Sequence, residues 1–374
     1  MSGFPHPSPE LVTIAAESPR ERGVQRGQAC SSQLAAGWQT YADLFAAGGI
    51  SADRVQAEAV ASLSAVDAWQ PDLAAEIRGT ADGSGLPQWQ VAALNARTEI
   101  LSLARTALPG ECSTVISTIP GRVVSAQTWD WHEELAAAWH LQSVTHAGGT
   151  FVGMTEHGIL AKIGVNSAGV GVHLNVLGHS ADAPGAVPVH LAAAAVLYQA
   201  TTLDEAVDLL VSAPVTTSSS ISVVSPQGAR MVELSPMGAH VVAPAGDYLL
   251  HTNHFLSPVP SAGERTELYQ PDSGQRLDLL QRRCGEHFDP SGPLDLVPYL
   301  CSRPGDGADL CCVPAAGAQF GDRWRTLATA LIDPDAAQLR VAPGAPTEIG
   351  PEGWRTLSAR PQPGSVRGAA VFSR

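Results

Sequence analysis

From Ser51 to about Arg105, apolar and polar positions follow a helical period. Val55, Ala59, Leu63 and Val66 recur three or four residues apart, and Ser51 stands where a helix start needs a side-chain cap. A second helical run opens at Asp72 and stops in the turn Asp82-Gly83-Ser84-Gly85, and a third holds Leu94 to Leu103. Pro109-Gly110 then ends the helical pattern. From Cys112 to Val176 the chain turns rich in β-branched residues separated by glycines, which predicts strands over 113–119, 122–128, 141–145, 160–165 and 170–176. Asn166-Ser167-Ala168-Gly169 reads as a tight hairpin connection. Helices follow over 189–199 and 203–211, strands over 221–224, 230–234 and 248–251, helices over 272–283 and 294–301, and a late strand over 326–332. The Pro- and Gly-rich tail beyond Asp333 is expected to run over the surface.

Helices, strands, helices and strands again give an α+β plan with antiparallel sheets, not the strict βαβ alternation of a doubly wound fold. The one sharp boundary precedes Cys112. It separates a mainly helical leading segment, 1–111, from the segment 112–374, the two together forming one globular domain.

Composition narrows the function classes. Hydrophobic residues make up 44% of the 374 positions and charged ones 16%, the balance of a compact domain. A net charge of −14 with scattered basic residues speaks against nucleic acid as a partner. No apolar run approaches the roughly 20 residues that span a membrane, and the polar, Pro-rich start has no signal-peptide pattern. Six cysteines are too few and too irregular for a disulfide scaffold, so reduced thiols in a cytoplasm are expected. The adjacent Cys311 and Cys312 lack metal-ligand spacing. His251 and His254, on opposite faces of an extended strand, read as packing residues; no metal or cofactor is expected. The chain has a single lysine, Lys162, which reads as codon bias more than as a functional choice.

Pro109-Gly110-Glu111-Cys112-Ser113-Thr114-Val115 puts a cysteine at the first position of a strand, directly after a breaker. Such a cysteine is by default an inert buried hydrophobe. Its companions change that reading. Asp130 follows eighteen residues later in Gln127-Thr128-Trp129-Asp130-Trp131, and His251-Thr252-Asn253-His254 comes much later. With Leu94-Asn95-Ala96-Arg97-Thr98-Glu99 and the block 155–177 (TEHGILAKIGVNSAGVGVHLNVL), these segments resemble, in order, the acyl-coenzyme A:isopenicillin N acyltransferase family. That family groups with the self-processing cysteine peptidases among the N-terminal nucleophile hydrolases. The resemblance runs from about Gly23 to Pro343.

The resemblance implies an αββα four-layer sandwich and a precursor cut between Glu111 and Cys112. The cut would give Cys112 a free amine of pKa about 7.7–8.0 beside a thiol of about 8.5, nucleophile and base in one residue. By position, Asp130 would orient that amine, and Asn253 and Asn175 would face the oxyanion. Arg323 would be the late catalytic arginine, with Arg325 a second candidate two residues away. Two departures stand out. Glu111 replaces the glycine usual before the nucleophile, and Gln127 stands where the bile-salt-hydrolase branch has arginine. The implied reaction forms an acyl-thioester on Cys112 and transfers the acyl group to an amine or water. Its substrate would be a small amide or thioester, acyl-coenzyme A among the admissible donors, in natural-product metabolism. Two rivals remain: a dedicated amidohydrolase removing an acyl or β-alanyl cap, and an uncleaved, non-catalytic binding protein.

Overall fold

The computed structural model describes residues 8–104, 112–265 and 272–360. Glu111 and the breaker Pro109-Gly110 lie outside them. The leading segment begins with a strand, β1 (Leu11–Ala15), and continues through α1 (Pro19–Ala29), α2 (Ser31–Ala47), α3 (Ala52–Trp69), α4 (Pro71–Ser84), α5 (Gln88–Asn95) and α6 (Arg97–Leu101). Ser51 caps α3 as expected, its hydroxyl accepting from the Arg54 N–H at 3.3 Å. The break expected from Asp82 onward comes later: α4 continues to Ser84, and Gly85 closes it at φ +78°. The third helical run is two short helices, broken at Ala96.

Helices α1 and α4 touch backbone to backbone. A methyl group on Gly23 would stand 2.1 Å from the Glu76 carbonyl oxygen, and one on Gly79 would stand 2.1 Å from that of Arg20. The two helices therefore approach as closely as glycine alone permits. The approach brings Arg22 and Arg26 of α1 onto Glu76 of α4, each at 3.0 Å.

The second segment supplies the remaining strands: β2 (Cys112–Ser117), β3 (Val124–His132), β4 (Trp139–His146), β5 (Gly149–Glu156), β6 (Ile163–Asn166), β7 (Gly171–Val176), β8 (Ser219–Ser225), β9 (Gly228–Ser235), β10 (Gly238–Val242), β11 (Tyr248–His251), β12 (Trp324–Asp333), β13 (Gln338–Pro343) and β14 (Arg355–Ser358). They form an eight-stranded sheet, β1-β4-β5-β6-β7-β8-β9-β10, and a six-stranded sheet, β11-β2-β3-β12-β13-β14. Pairing is antiparallel throughout except for β1 on β4. The hairpin at Asn166 is as expected: Asn166 Oδ1 accepts from the N–H groups of Ala168 and Val170, and Gly169 takes φ +89°. As far as residue 360, the tail does not simply run over the surface. β13 and β14 extend the smaller sheet, because Leu339, Val341 and Ala342 are apolar enough to bury on its face.

The sheets face each other, β7 against β2, β6 against β12 and β5 against β13. Helices α7 (Val189–Gln199) and α8 (Leu203–Ser212) cover the outer face of the large sheet, and the helices Ser273–Glu286 and Val297–Leu300 cover the smaller one. This is the expected αββα sandwich. One buried apolar cluster draws on both segments, from Leu34 and Ile77 to Val172 and Leu339. Among the described residues, no helix is long and apolar enough to cross a membrane.

Candidate active site

Cys112 opens β2 at the interface of the two sheets, paired in register with Trp129 of β3. Its main chain is held on both sides. The N–H donates to Asn253 Oδ1 at 2.9 Å, and the carbonyl accepts from Asn175 Nδ2 at 2.9 Å and from Arg276 Nη1 at 3.4 Å. Arg276 also donates to Ser113 Oγ at 3.1 Å and to Asn253 Oδ1 at 3.0 Å. Asn175 is fixed in turn, its Oδ1 accepting from Thr114 Oγ1 at 2.8 Å and from Gln127 Nε2 at 3.0 Å. Gln127 thus serves the sheet–sheet contact. Asn253 Nδ2 donates to the Val176 carbonyl at 2.9 Å, so in the continuous chain both asparagine amides are engaged with main chain.

Asp130 follows Trp129 on β3, and its main-chain N–H donates to the Cys112 thiol. Burial, then the negative charge of Asp130, push the thiol up to about 12, while Lys162 and Arg276 pull the other way. At neutral pH the sulfur is therefore a thiol, not a thiolate. The closed space beside it, about 10 Å³, is lined by Arg97, Cys112, Trp129, Asp130, Lys162 and Leu174 among others. That is room for about one water.

Behind this space lies a buried charge cluster. Glu156 accepts from Lys162 Nζ at 2.9 Å, from Arg97 Nε at 3.2 Å and also from Arg97 Nη2 and the Tyr41 hydroxyl. Lys162 Nζ stands 3.9 Å from the centre of the Trp129 ring, and Arg97 lies over Trp131 at 4.1 Å. Burial brings the Lys162 ammonium down to about 7 against the opposing pull of Glu156. Burial alone would raise Glu156, but the charges of Arg97 and Lys162 hold its carboxyl well below the usual carboxylate range.

The sequence-predicted residues Cys112, Asp130, Asn253 and Asn175 come together. Arg323 and Arg325 do not join them. They sit at the start of β12 beside the turn Glu133–Leu135, where Arg323 pairs with Glu134 at 2.9 Å and Arg325 with Glu133 at 2.7 Å. Two carboxylates at that strand end hold both guanidinium groups away from the sulfur. The arginine beside Cys112 is Arg276. Its signal was present in the pattern: Ser273, Arg276, Leu277 and Leu280 fall at helical spacing on one buried stripe, and an arginine within such a stripe needs a partner inside. The lone lysine likewise has a specific place, 2% exposed and next to the sulfur. His251 and His254 share no ligand position. His251 contacts Glu233 Oε1 at 3.0 Å and His254 contacts Ser273 Oγ at 2.7 Å, and both hold the loop that carries Asn253.

A family model described as acyl-coenzyme A:6-aminopenicillanic acid acyl-transferase matches residues 118–348. The 40 kDa form of acyl-coenzyme A:6-aminopenicillanic-acid-acyltransferase from Emericella nidulans is 33% identical over 210 residues, covering 55% of this chain and 58% of that relative. The chain thus spans less than two thirds of the length of the curated relative it matches. Among solved structures, a mutant of the conjugated bile acid hydrolase from Clostridium perfringens aligns with a TM-score of 0.44 at 11% identity, covering 66% of this chain and 92% of that one. Penicillin V acylase from Agrobacterium tumefaciens aligns with a TM-score of 0.34 at 16% identity, covering 62% and 82%.

Proposed function

Since the chain belongs to the acyl-coenzyme A:6-aminopenicillanic acid acyl-transferase family, we propose that it forms an acyl-thioester on Cys112 and passes the acyl group to an amine or to water. The observation that carries this reading is the clamp on Cys112. Asn253 takes its N–H while Asn175 and Arg276 take its carbonyl, and the sulfur faces Asp130 and Lys162. An inert cysteine packs its sulfur against apolar atoms and needs none of this.

Activation is a cut between Glu111 and Cys112. The sulfur attacks the Glu111 carbonyl carbon, the C–N bond breaks, and the nitrogen leaves with the thiol proton as an α-amine. Water then hydrolyses the Glu111 thioester, freeing a carboxylate and restoring the thiol. The new amine, with an ordinary pKa of about 7.7–8.0, supplies the base that a buried thiol lacks. Asn253 Oδ1, which accepts from the amide N–H, is placed to accept from that amine as well. In turnover the amine takes the thiol proton, Sγ attacks the acyl donor, and the leaving amine or coenzyme A thiol takes the proton. Asn175 or Asn253 can serve an oxyanion by exchanging its present carbonyl partner, and one such amide donor contributes about 2.7–4 kcal/mol to catalysis. Arg276, tied to both the nucleophile's carbonyl and Asn253, positions the pair.

The polar clamp on Cys112 and the charged groups facing its sulfur support a processed enzyme over an uncleaved binding protein. The segments 1–111 and 112–374 would then be subunits of one cleaved precursor, retained together. A cytoplasmic location is supported by six cysteines that are all free.

N-terminal sequencing by mass spectrometry tests the reading. Wild-type protein should yield a fragment beginning at Cys112, whereas Cys112→Ala should stay intact and turn over neither thioester nor amide. Normal processing in the alanine variant overturns the proposal. Exclusive hydrolysis at saturating amine would remove the transferase half and leave an amidohydrolase.

A further inference from the structure

Cys30, His140 and His157 form a buried group that the chemistry at Cys112 does not use. Each offers one ligand atom, and the three atoms lie within 4.8 Å of one another. Cys30 sits at the junction of α1 and α2, His140 lies on β4, and His157 follows β5. His140 is 1% exposed, and neither of its ring nitrogens has a hydrogen-bond partner; His157 Nδ1 has none either. The two imidazoles stack with centroids 4.7 Å apart and planes 15° from parallel. Buried polar atoms in folded proteins are almost always partnered by protein, water or an ion. Three such nitrogens beside a buried thiol therefore point to a missing partner.

We propose that Cys30, His140 and His157 bind a zinc ion, with the fourth position left to a water from the adjoining cavity. One thiolate and two imidazoles are the donor set of a borderline-soft tetrahedral ion, and a poor one for magnesium or calcium. Tetrahedral zinc with such ligands sets donor atoms roughly 3.3–3.6 Å apart, so the side chains must draw in by about 1 Å and the imidazoles turn out of their stack until both lone pairs converge. A cavity of about 190 Å³, lined by Glu10, Gln33, Trp139, His140 and His157, opens onto the group and gives the ion a path in. Binding exchanges the Cys30 thiol proton for the metal, so one proton is released per ion bound at that ligand.

The ligands come from both sides of Cys112. Cys30 belongs to the leading segment, and His140 and His157 to the other. A bound ion would therefore cross-link the two segments whether or not the chain is cut, which makes this proposal independent of the reading at Cys112.

Untagged, full-length protein freed of metal with a chelator is titrated with Co²⁺ and then with Zn²⁺. One Co²⁺ per chain is expected, with a thiolate-to-cobalt charge-transfer band and the strong visible absorption of a tetrahedral ion, both lost on adding Zn²⁺. Zn²⁺ alone should raise Tm in the wild type. Cys30→Ser should lose the charge-transfer band and the Tm response, and His157→Ala, at the cavity rim, should weaken binding on the order of 100-fold. No thiolate band in the wild type, or an unchanged band in a folded Cys30→Ser or His157→Ala variant, overturns the proposal.

Discussion

Replacing Glu156 with glutamine tests the charge cluster behind Cys112 directly. The substitution keeps the side chain's shape and one acceptor oxygen but removes the charge that faces Lys162 at 2.9 Å and Arg97 at 3.2 Å, with all three side chains buried. Arg97 then loses its nearest counter-charge, and Lys162, already brought down to about 7, loses the carboxylate that keeps it charged, a change that costs about 3–5 kcal/mol in comparable buried pairs. For a chain of 374 residues, about 4 kcal/mol corresponds to a Tm loss of roughly 5 °C. Asp67→Asn is the control. It removes the partner of Arg78 in a solvent-exposed pair and should leave stability close to that of the wild type. The effect of Glu156→Gln also carries a pH signature. The folded-state carboxyl lies below its ordinary 4.5, so its contribution is complete above that value and is lost as pH falls toward the folded pKa. Urea denaturation of both proteins between pH 7 and pH 3 should show the difference between wild type and variant shrinking in acid. A loss under about 1 kcal/mol at pH 7, or one that does not shrink in acid, refutes the reasoning.

Two further pairs of variants probe the arrangement. Arg276→Gln should lower the rate of enzyme acylation on the order of 100-fold, whereas Arg323→Gln should leave it within about twofold; single-turnover kinetics separate them, and the reverse order would restore the late arginine to the site. Gly79→Ala should destabilise by about 1–3 kcal/mol, since its methyl meets the Arg20 carbonyl at 2.1 Å. Gly37→Ala, on α2 with nothing within 4 Å, should instead stabilise by about 0.5–1 kcal/mol through helix propensity, and thermal melts read both.

What the sequence made legible follows the range of the forces involved. Ser51, the hairpin at Asn166 and the β-branched strands declare themselves because caps, turns and strand periodicity are local. The strand β1 was illegible: five residues, Leu11–Ala15, become a strand only because β4 offers them a parallel edge. β13 and β14 escaped for the same reason, their prolines and glycines suggesting a surface tail while the partner strand β12 decides otherwise. At the site, Cys112, Asp130, Asn175 and Asn253 were found through ordered motifs. Arg276 was missed because its role depends on helix 273–286 docking over β11, a contact that spacing along the chain cannot express. Cys30, His140 and His157 were missed more completely, since no ligand spacing links Cys30 to two histidines more than a hundred positions away.

The burial of Lys162 also bears on how the protein meets reactive acyl compounds. As the chain's single lysine, enclosed between Glu156 and Trp129, it leaves the surface without any ε-amine. The amines left for an amine-directed reagent are α-amines, and on the proposed cut Cys112 would carry one of its own, enclosed in the folded protein. Amine-directed labelling after denaturation would thus count cut chains. If the protein handles activated acyl groups as proposed, the same arrangement spares it acylation at surface lysines.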